Sequence, residues 1–216
     1  MKTLAARVAC AFLVLAACAA AHAQPASSAV AGREYLVLEP RRAVANGERI
    51  EVIEFFTYGC AVCYESQPHI ARWLGIAGSD VVLRSVPATT GEYGESFALT
   101  YYALESTGQL ARLHLAVYDN HHFDDQRLHQ EKNLLDWLAR NGVDPERFRE
   151  VRNSADVRAR VTAGQKLIET YGVRGVPAFA VDGRYLTSAR LAGGVREMMN
   201  VVEYLVGRAR AERRKP

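Results

Sequence analysis

The sequence predicts an α/β protein in which helices pack on a mixed sheet and a long helical block interrupts the strands. Three observations carry this. Runs rich in β-branched and aromatic residues occur at 35–38, 50–56 and 80–86 and return at 178–181 and 185–187. Between them, from about residue 92 to about 171, apolar residues recur three and four apart, as in Leu134, Leu135, Trp137 and Leu138. Asp182-Gly183 then separates two apolar runs, which is a hairpin signal. Strands followed by helices and then strands again fit a mixed sheet carrying an insertion of roughly 80 residues.

The elements follow in order. Strand 35–38 ends at Pro40, and strand 50–56 is strongly apolar and carries the acid Glu54. Thr57-Tyr58-Gly59 reads as a strand-to-helix turn into a helix from about 60 to 76, with Pro68 interrupting its interior. Strand 80–86 is bounded by Ser79 and Pro87. Inside the helical block, Gly142 stops one helix, and Asp144-Pro145 supplies a cap and a first-turn proline for the next. Ser154 caps a longer helix that Gly172 ends, and a last helix covers about 194–210.

The amino terminus bears on the compartment. Lys2 and Arg7 precede an uncharged apolar run over 8–21, too short for the ~20 residues of a membrane span. Ala21-His22-Ala23 supplies a small-x-small cleavage site, so residues 1–23 are expected to be a secretory signal, leaving 24–216 as one domain with its insertion. Leu15-Ala16-Ala17-Cys18 offers a competing lipoprotein cut; cleavage after Ala23 is preferred. Loss of the leader leaves a net charge of about +1, which does not suit a nucleic-acid binder. The basic cluster from Arg208 to Lys215 reads as a solvated chain end.

Removing the leader also removes Cys10 and Cys18, so only Cys60 and Cys63 remain. A bridge spanning so few residues closes almost no loop and adds little stability, so the pair reads as chemistry. At a helix N-terminus, unpaired N–H groups and the helix dipole stabilise a Cys60 thiolate, the species that attacks disulfides. Cys63, one turn on, is placed to resolve the mixed disulfide. Zinc is the main alternative for C-x-x-C, but it needs two further ligands and the mature chain has no second cysteine pair. His121-His122 with Asp124 and Asp125 reads as solvated loop, and no metal is expected.

Glu54-Phe55-Phe56-Thr57-Tyr58-Gly59-Cys60-Ala61-Val62-Cys63 resembles the active-site segment of the DsbA family of periplasmic thiol:disulfide oxidoreductases, whose fold is thioredoxin-like. Pro68 falls where such proteins kink the active-site helix. Gly172-Val173-Arg174-Gly175-Val176-Pro177-Ala178-Phe179 resembles the family's cis-proline segment. The resemblance spans about 35–210. It implies an oxidase that donates the Cys60–Cys63 disulfide to unfolded exported proteins with cysteines, needs no other cofactor, and is reoxidised by a membrane redox partner. Val176 and Pro177 would form a cis bond beside the cysteines and present backbone to an extended client. Glu54 would be a buried acid with a raised pKa relaying a proton for Cys63, and its alternation with Ile50 and Val52 supports burial.

The chain departs from the family at Ala61-Val62, where the best-known members carry Pro-His, and a weaker oxidant is expected. Val176 before the proline favours oxidases over isomerases, in which threonine is common there. The alternatives are a reductase or isomerase on the same scaffold, a chaperone-like module in which the cysteines are incidental, and a glutathione-linked isomerase.

Overall fold

The computed structural model describes residues 28–45 and 47–214. The expected leader over 1–23, with its Cys10 and Cys18, lies outside the described residues. Thirteen elements follow one another: β1 (Leu36–Val37), β2 (Ile50–Phe56), α1 (Ala61–Leu74), β3 (Val81–Pro87), α2 (Gly94–Ser106), α3 (Leu110–His122), α4 (Glu131–Arg140), α5 (Pro145–Arg152), α6 (Ala155–Tyr171), β4 (Ala178–Val181), β5 (Tyr185–Ser188), α7 (Ala189–Ala192) and α8 (Val195–Arg213). The five strands form one sheet in the order β1-β5-β4-β2-β3. β2 pairs parallel with β3 and antiparallel with β4, so the sheet is mixed, and α2 to α6 fill the interval between β3 and β4.

β2 is the central strand, and all seven of its residues are buried. Val52, with Phe179 of β4, packs toward Trp73 of α1 and Met198 and Val202 of α8. On the opposite face Ile53 and Phe55 pack toward Ile168 and Tyr171 of α6. Complete burial of such side chains stabilises by ~1.5–3 kcal/mol each, which makes this strand the keel of the sheet. The helical block has its own core, where Phe97, Tyr118, Leu134, Trp137 and Phe148 gather with Phe56, Tyr58 and Cys63. That shared cluster joins the insertion to the active-site turn.

Local chemistry accounts for the boundaries. Asp144 accepts the Glu146 and Arg147 N–H groups at 3.0 and 3.1 Å, Ser154 accepts that of Val157 at 3.3 Å, and Gly172 ends α6 with φ +65°. Gly183 in the hairpin turn has φ +67°, and a Cβ there would lie 2.2 Å from the Arg42 carbonyl, so only glycine fits.

Four expectations are corrected. β1 has two paired residues, not four, because its register with β5 covers only Leu36 and Val37. Pro68 does not interrupt α1, which runs through it. α8 extends to Arg213, and its basic residues are not a free solvated end: Arg210 pairs with Asp80 at 2.7 Å, Arg213 binds Asp182, and Arg208 donates to the Tyr35 hydroxyl at 2.6 Å. These contacts pin the helix to the sheet. His121 and His122 end α3 half-buried and are not loop residues.

Candidate active site

β2 delivers the chain through Thr57-Tyr58-Gly59 to Cys60, which is the N-cap of α1. The Cys60 Sγ accepts the Cys63 backbone N–H at 3.2 Å, so the sulfur satisfies one of the helix's open donors. Cys60 is half-buried and Cys63 fully buried, both as free thiols. Their proton affinities are driven apart. The hydrogen bond from Cys63 is the main cause holding the Cys60 thiol down to about 7, aided by the backbone N–H groups of Cys63 and Val62 against the opposing cost of burial. Burial, then the hydrogen bond and charge of Cys60, pushes the Cys63 thiol far up. Helix-terminal N–H groups therefore contribute as the sequence suggests, while the partner thiol contributes more.

The Val176–Pro177 peptide is cis, and the Val176 carbonyl lies 3.7 Å from the Cys60 Sγ. A groove of about 820 Å³ runs past this point, bordered by Val62, Val176, Pro177 and residues of β5 and α7. Among the described residues the Val176 N–H takes no backbone partner.

Glu54 is 1% exposed. Its carboxylate accepts the Ser85 hydroxyl at 2.6 Å and the Gln67 amide at 3.1 Å. Burial raises its pKa, and among the described residues the opposing contacts come from those two neutral groups. Gln67 also donates to the Cys63 carbonyl at 3.3 Å, linking the acid to the buried cysteine's turn, and the Glu54 charge adds to the proton affinity of Cys63. The structure thus gathers Cys60, Cys63, Glu54, Val176 and Pro177 into one site.

Sequence reasoning missed Gln67, Ser85 and His114. Gln67 lies four residues after Cys63 on α1, so helical spacing does put it on the same face. Ser85 faces Glu54 only through the β2–β3 register, where the two are paired. His114 arrives from the insertion, and no spacing signals it. His122, read as loop, donates from Nε2 to the Tyr58 carbonyl at 2.8 Å and stacks on Tyr64 with ring centroids 5.5 Å apart. Among the described residues no group of three or more His, Cys, Asp or Glu is arranged to hold a metal.

Comparison with known proteins agrees with this geometry. The DSBA-like thioredoxin domain family matches residues 51–205. The thiol:disulfide interchange protein DsbA of Azotobacter vinelandii is 33% identical over 180 residues, covering 83% of this chain and 84% of that protein. Its Pseudomonas aeruginosa namesake is 33% identical over 193 residues, covering 89% and 92%. The crystal structure of Pseudomonas aeruginosa DsbA superposes with a TM-score of 0.81 at 33% identity over 87% of this chain and 97% of that one, and that of Xylella fastidiosa DsbA with 0.78 at 28% identity over 85% and 98%. A mixed sheet, an inserted helical block and a paired thiol at a helix N-terminus therefore place this chain in the DSBA-like thioredoxin domain family, as a thiol:disulfide oxidoreductase.

Proposed function

We propose that this enzyme introduces disulfides into exported proteins in the periplasm, with Cys60 as the exchanging sulfur and Cys63 as the resolving one. The observation that carries the reading is the split between the thiols: Cys60 half-buried and held down to about 7, Cys63 buried and pushed up. A low-pKa thiol is a good leaving group, so a mixed disulfide at Cys60 passes readily to the client.

The cycle begins when a client thiolate attacks the Cys60 sulfur of the oxidised pair. A client–Cys60 disulfide forms, the Cys60–Cys63 bond breaks, and Cys63 leaves with the electron pair. Buried Cys63 then takes a proton, relayed by Glu54. A second client thiolate attacks the client sulfur of the mixed disulfide, and Cys60 leaves as thiolate. The client is oxidised by two electrons and the pair is reduced by two. A membrane redox partner, which returns the pair to the disulfide, completes the cycle.

The free Val176 N–H and nearby carbonyl support pairing with an extended client beside Cys60, with Pro177 shaping that edge. Residues 1–23 act as the export signal, with 24–216 as the mature domain. A Cys63→Ala variant should trap client proteins as mixed disulfides through Cys60. Trapping through Cys63 alone, in a Cys60→Ala variant, would reverse the roles. Equilibration with glutathione, followed by parallel oxidase and reductase assays, fixes the direction of net electron flow.

A further inference from the structure

His114 belongs to α3 of the insertion, yet its ring reaches both ends of the active-site turn. Its Nδ1 lies 2.8 Å from the hydroxyl of Tyr58, two residues before Cys60. Its Nε2 lies 3.3 Å from the Oε1 of Gln67, four residues after Cys63. The rings of Phe56, Tyr58, Tyr101 and Tyr118 surround it with centroids 5.3 to 6.1 Å away. Burial holds the imidazole down to about 4, so it is neutral at ordinary pH and presents one donor and one acceptor.

The hydrogen bonds fix which nitrogen carries the proton. The Gln67 NH₂ faces two acceptors, the Glu54 carboxylate at 3.1 Å and the Cys63 carbonyl at 3.3 Å, so its oxygen must face His114. That oxygen can only accept, hence His114 carries its proton on Nε2 and Nδ1 accepts from Tyr58. The imidazole thereby keeps the Gln67 amide from flipping, with its N–H groups toward Glu54. The other groups around the acid are Ser85 from β3, Phe179 from β4, Cys63 from α1, Tyr101 from α2, Tyr118 from α3 and Tyr58 from the turn. None of these is a cation, so orientation of neutral donors is the means by which the charged carboxylate is stabilised.

We infer that His114 is a positioning residue for the thiol chemistry: through Gln67 it orients the donor that the Glu54 carboxylate accepts, and so sets the proton affinity of the acid that serves Cys63. This rests on the reading of Glu54 as that acid. Without His114 the Gln67 oxygen loses its donor, and the amide is held from one end alone, by the Glu54 carboxylate and the Cys63 carbonyl. Its N–H is then no longer locked on the carboxylate, and Ser85 is the one donor still fixed there. The charged form is then less favoured and Glu54 holds its proton to higher pH. A surface pocket of about 490 Å³, lined by His114, Ser85 and Tyr101, brings solvent to the outer side of the same network.

The test follows the ¹³C resonance of the Glu54 carboxyl against pH in the reduced full-length domain, assigned by its loss in Glu54→Gln. His114→Leu is expected to move the titration up by about half a unit or more. Gln67→Leu, which removes the bridge from the other side, should do the same and stands in should His114→Leu not fold. His114→Gln, whose amide N–H takes the place of Nε2–H, should restore most of the parent value. Resolution of a mixed disulfide at Cys60 should slow several-fold in the two leucine variants and recover in His114→Gln. A titration that His114→Leu leaves unmoved, whether or not Gln67→Leu moves it, overturns the role of His114 and leaves Glu54 in place. A parent Glu54 that titrates in the ordinary carboxylate range, with Glu54→Gln resolving mixed disulfides at the parent rate, overturns the reading of Glu54 itself.

Discussion

Glu51 and Glu54 sit three residues apart in β2, are each 1% exposed, and face opposite sides of the sheet. Glu51 meets a cation, since the Arg84 Nε lies 3.2 Å from its Oε1. Glu54 meets the hydroxyl of Ser85 and the amide of Gln67. One strand thus holds two buried carboxyls whose neighbours assign them different work. Glu51 is paired with a cation across the sheet, and Glu54 has neutral donors and a pKa that burial raises.

Removing the cation should have the largest effect of any change to this contrast. Arg84→Ala leaves the Glu51 charge buried without its partner. A fully buried pair would lose 3–5 kcal/mol, and the 42% exposure of the Arg84 side chain reduces this to about 2 kcal/mol. Urea unfolding reads the loss, while Cys60 alkylation against pH should still be half-maximal near the parent value of about 7. A displaced Cys60 titration would show that the two ends of β2 are not separate.

At the other end, Cys63→Ala removes the main stabiliser of the Cys60 thiolate, the Cys63 thiol. Thiolate absorbance at 240 nm, an ordinary spectroscopic handle, should show the Cys60 pKa rising by roughly one unit, worth ~1.4 kcal/mol. An unchanged pKa would return the whole effect to the helix N-terminus. A smaller change is expected when Ala61-Val62 is converted to Pro-His. The added donor lowers the Cys60 pKa, favours the reduced form and raises the potential by tens of millivolts, since each unit corresponds to ~30 mV for two electrons. Glutathione equilibration measures it, and a potential that stays or falls would move control of the redox poise to the Val176-Pro177 side.

Glu54→Gln should have the gentlest effect on stability, and its sign is opposite to that of Arg84→Ala. Burial raises the Glu54 pKa, so folding binds a proton more tightly than the unfolded chain does. That contribution is complete below the unfolded value near 4.5 and fades as pH rises through the folded one. The parent therefore loses stability over this window, and Glu54→Gln should be the more stable protein above it. Unfolding midpoints at acid and neutral pH give the comparison; a variant less stable than the parent at neutral pH would mean that Glu54 is held as a structural charge, like Glu51.

Much of this was legible in the chain because it is local. A cysteine at a strand-to-helix junction, the Asp182-Gly183 turn, and the caps at Asp144 and Ser154 each depend on residues within a few positions of one another, and each forms as expected. The burial of Glu54 followed from alternation with Ile50 and Val52. What surrounds Glu54 did not, because Ser85 reaches it through a parallel register across a crossover and Gln67 is oriented by a histidine 47 residues further on. Sequence spacing carries no trace of such contacts. The C-terminal arginines were misread for the same reason: their partners Asp80 and Asp182 are distant in sequence, so a clasp looked like a loose end.

The sulfur of Cys60 is also the cap of α1. Every turnover therefore exchanges the group that terminates this helix, an anion in one half of the cycle and one half of a neutral disulfide in the other. An anionic acceptor holds helix-terminal N–H groups more firmly than a neutral one. The first turn of α1 is in this sense a spring coupled to electron count, tighter after the enzyme has given its disulfide away. Its amide protons should exchange with solvent more slowly in the reduced protein than in the oxidised one, so that hydrogen exchange at a few backbone positions follows the redox state of the pair.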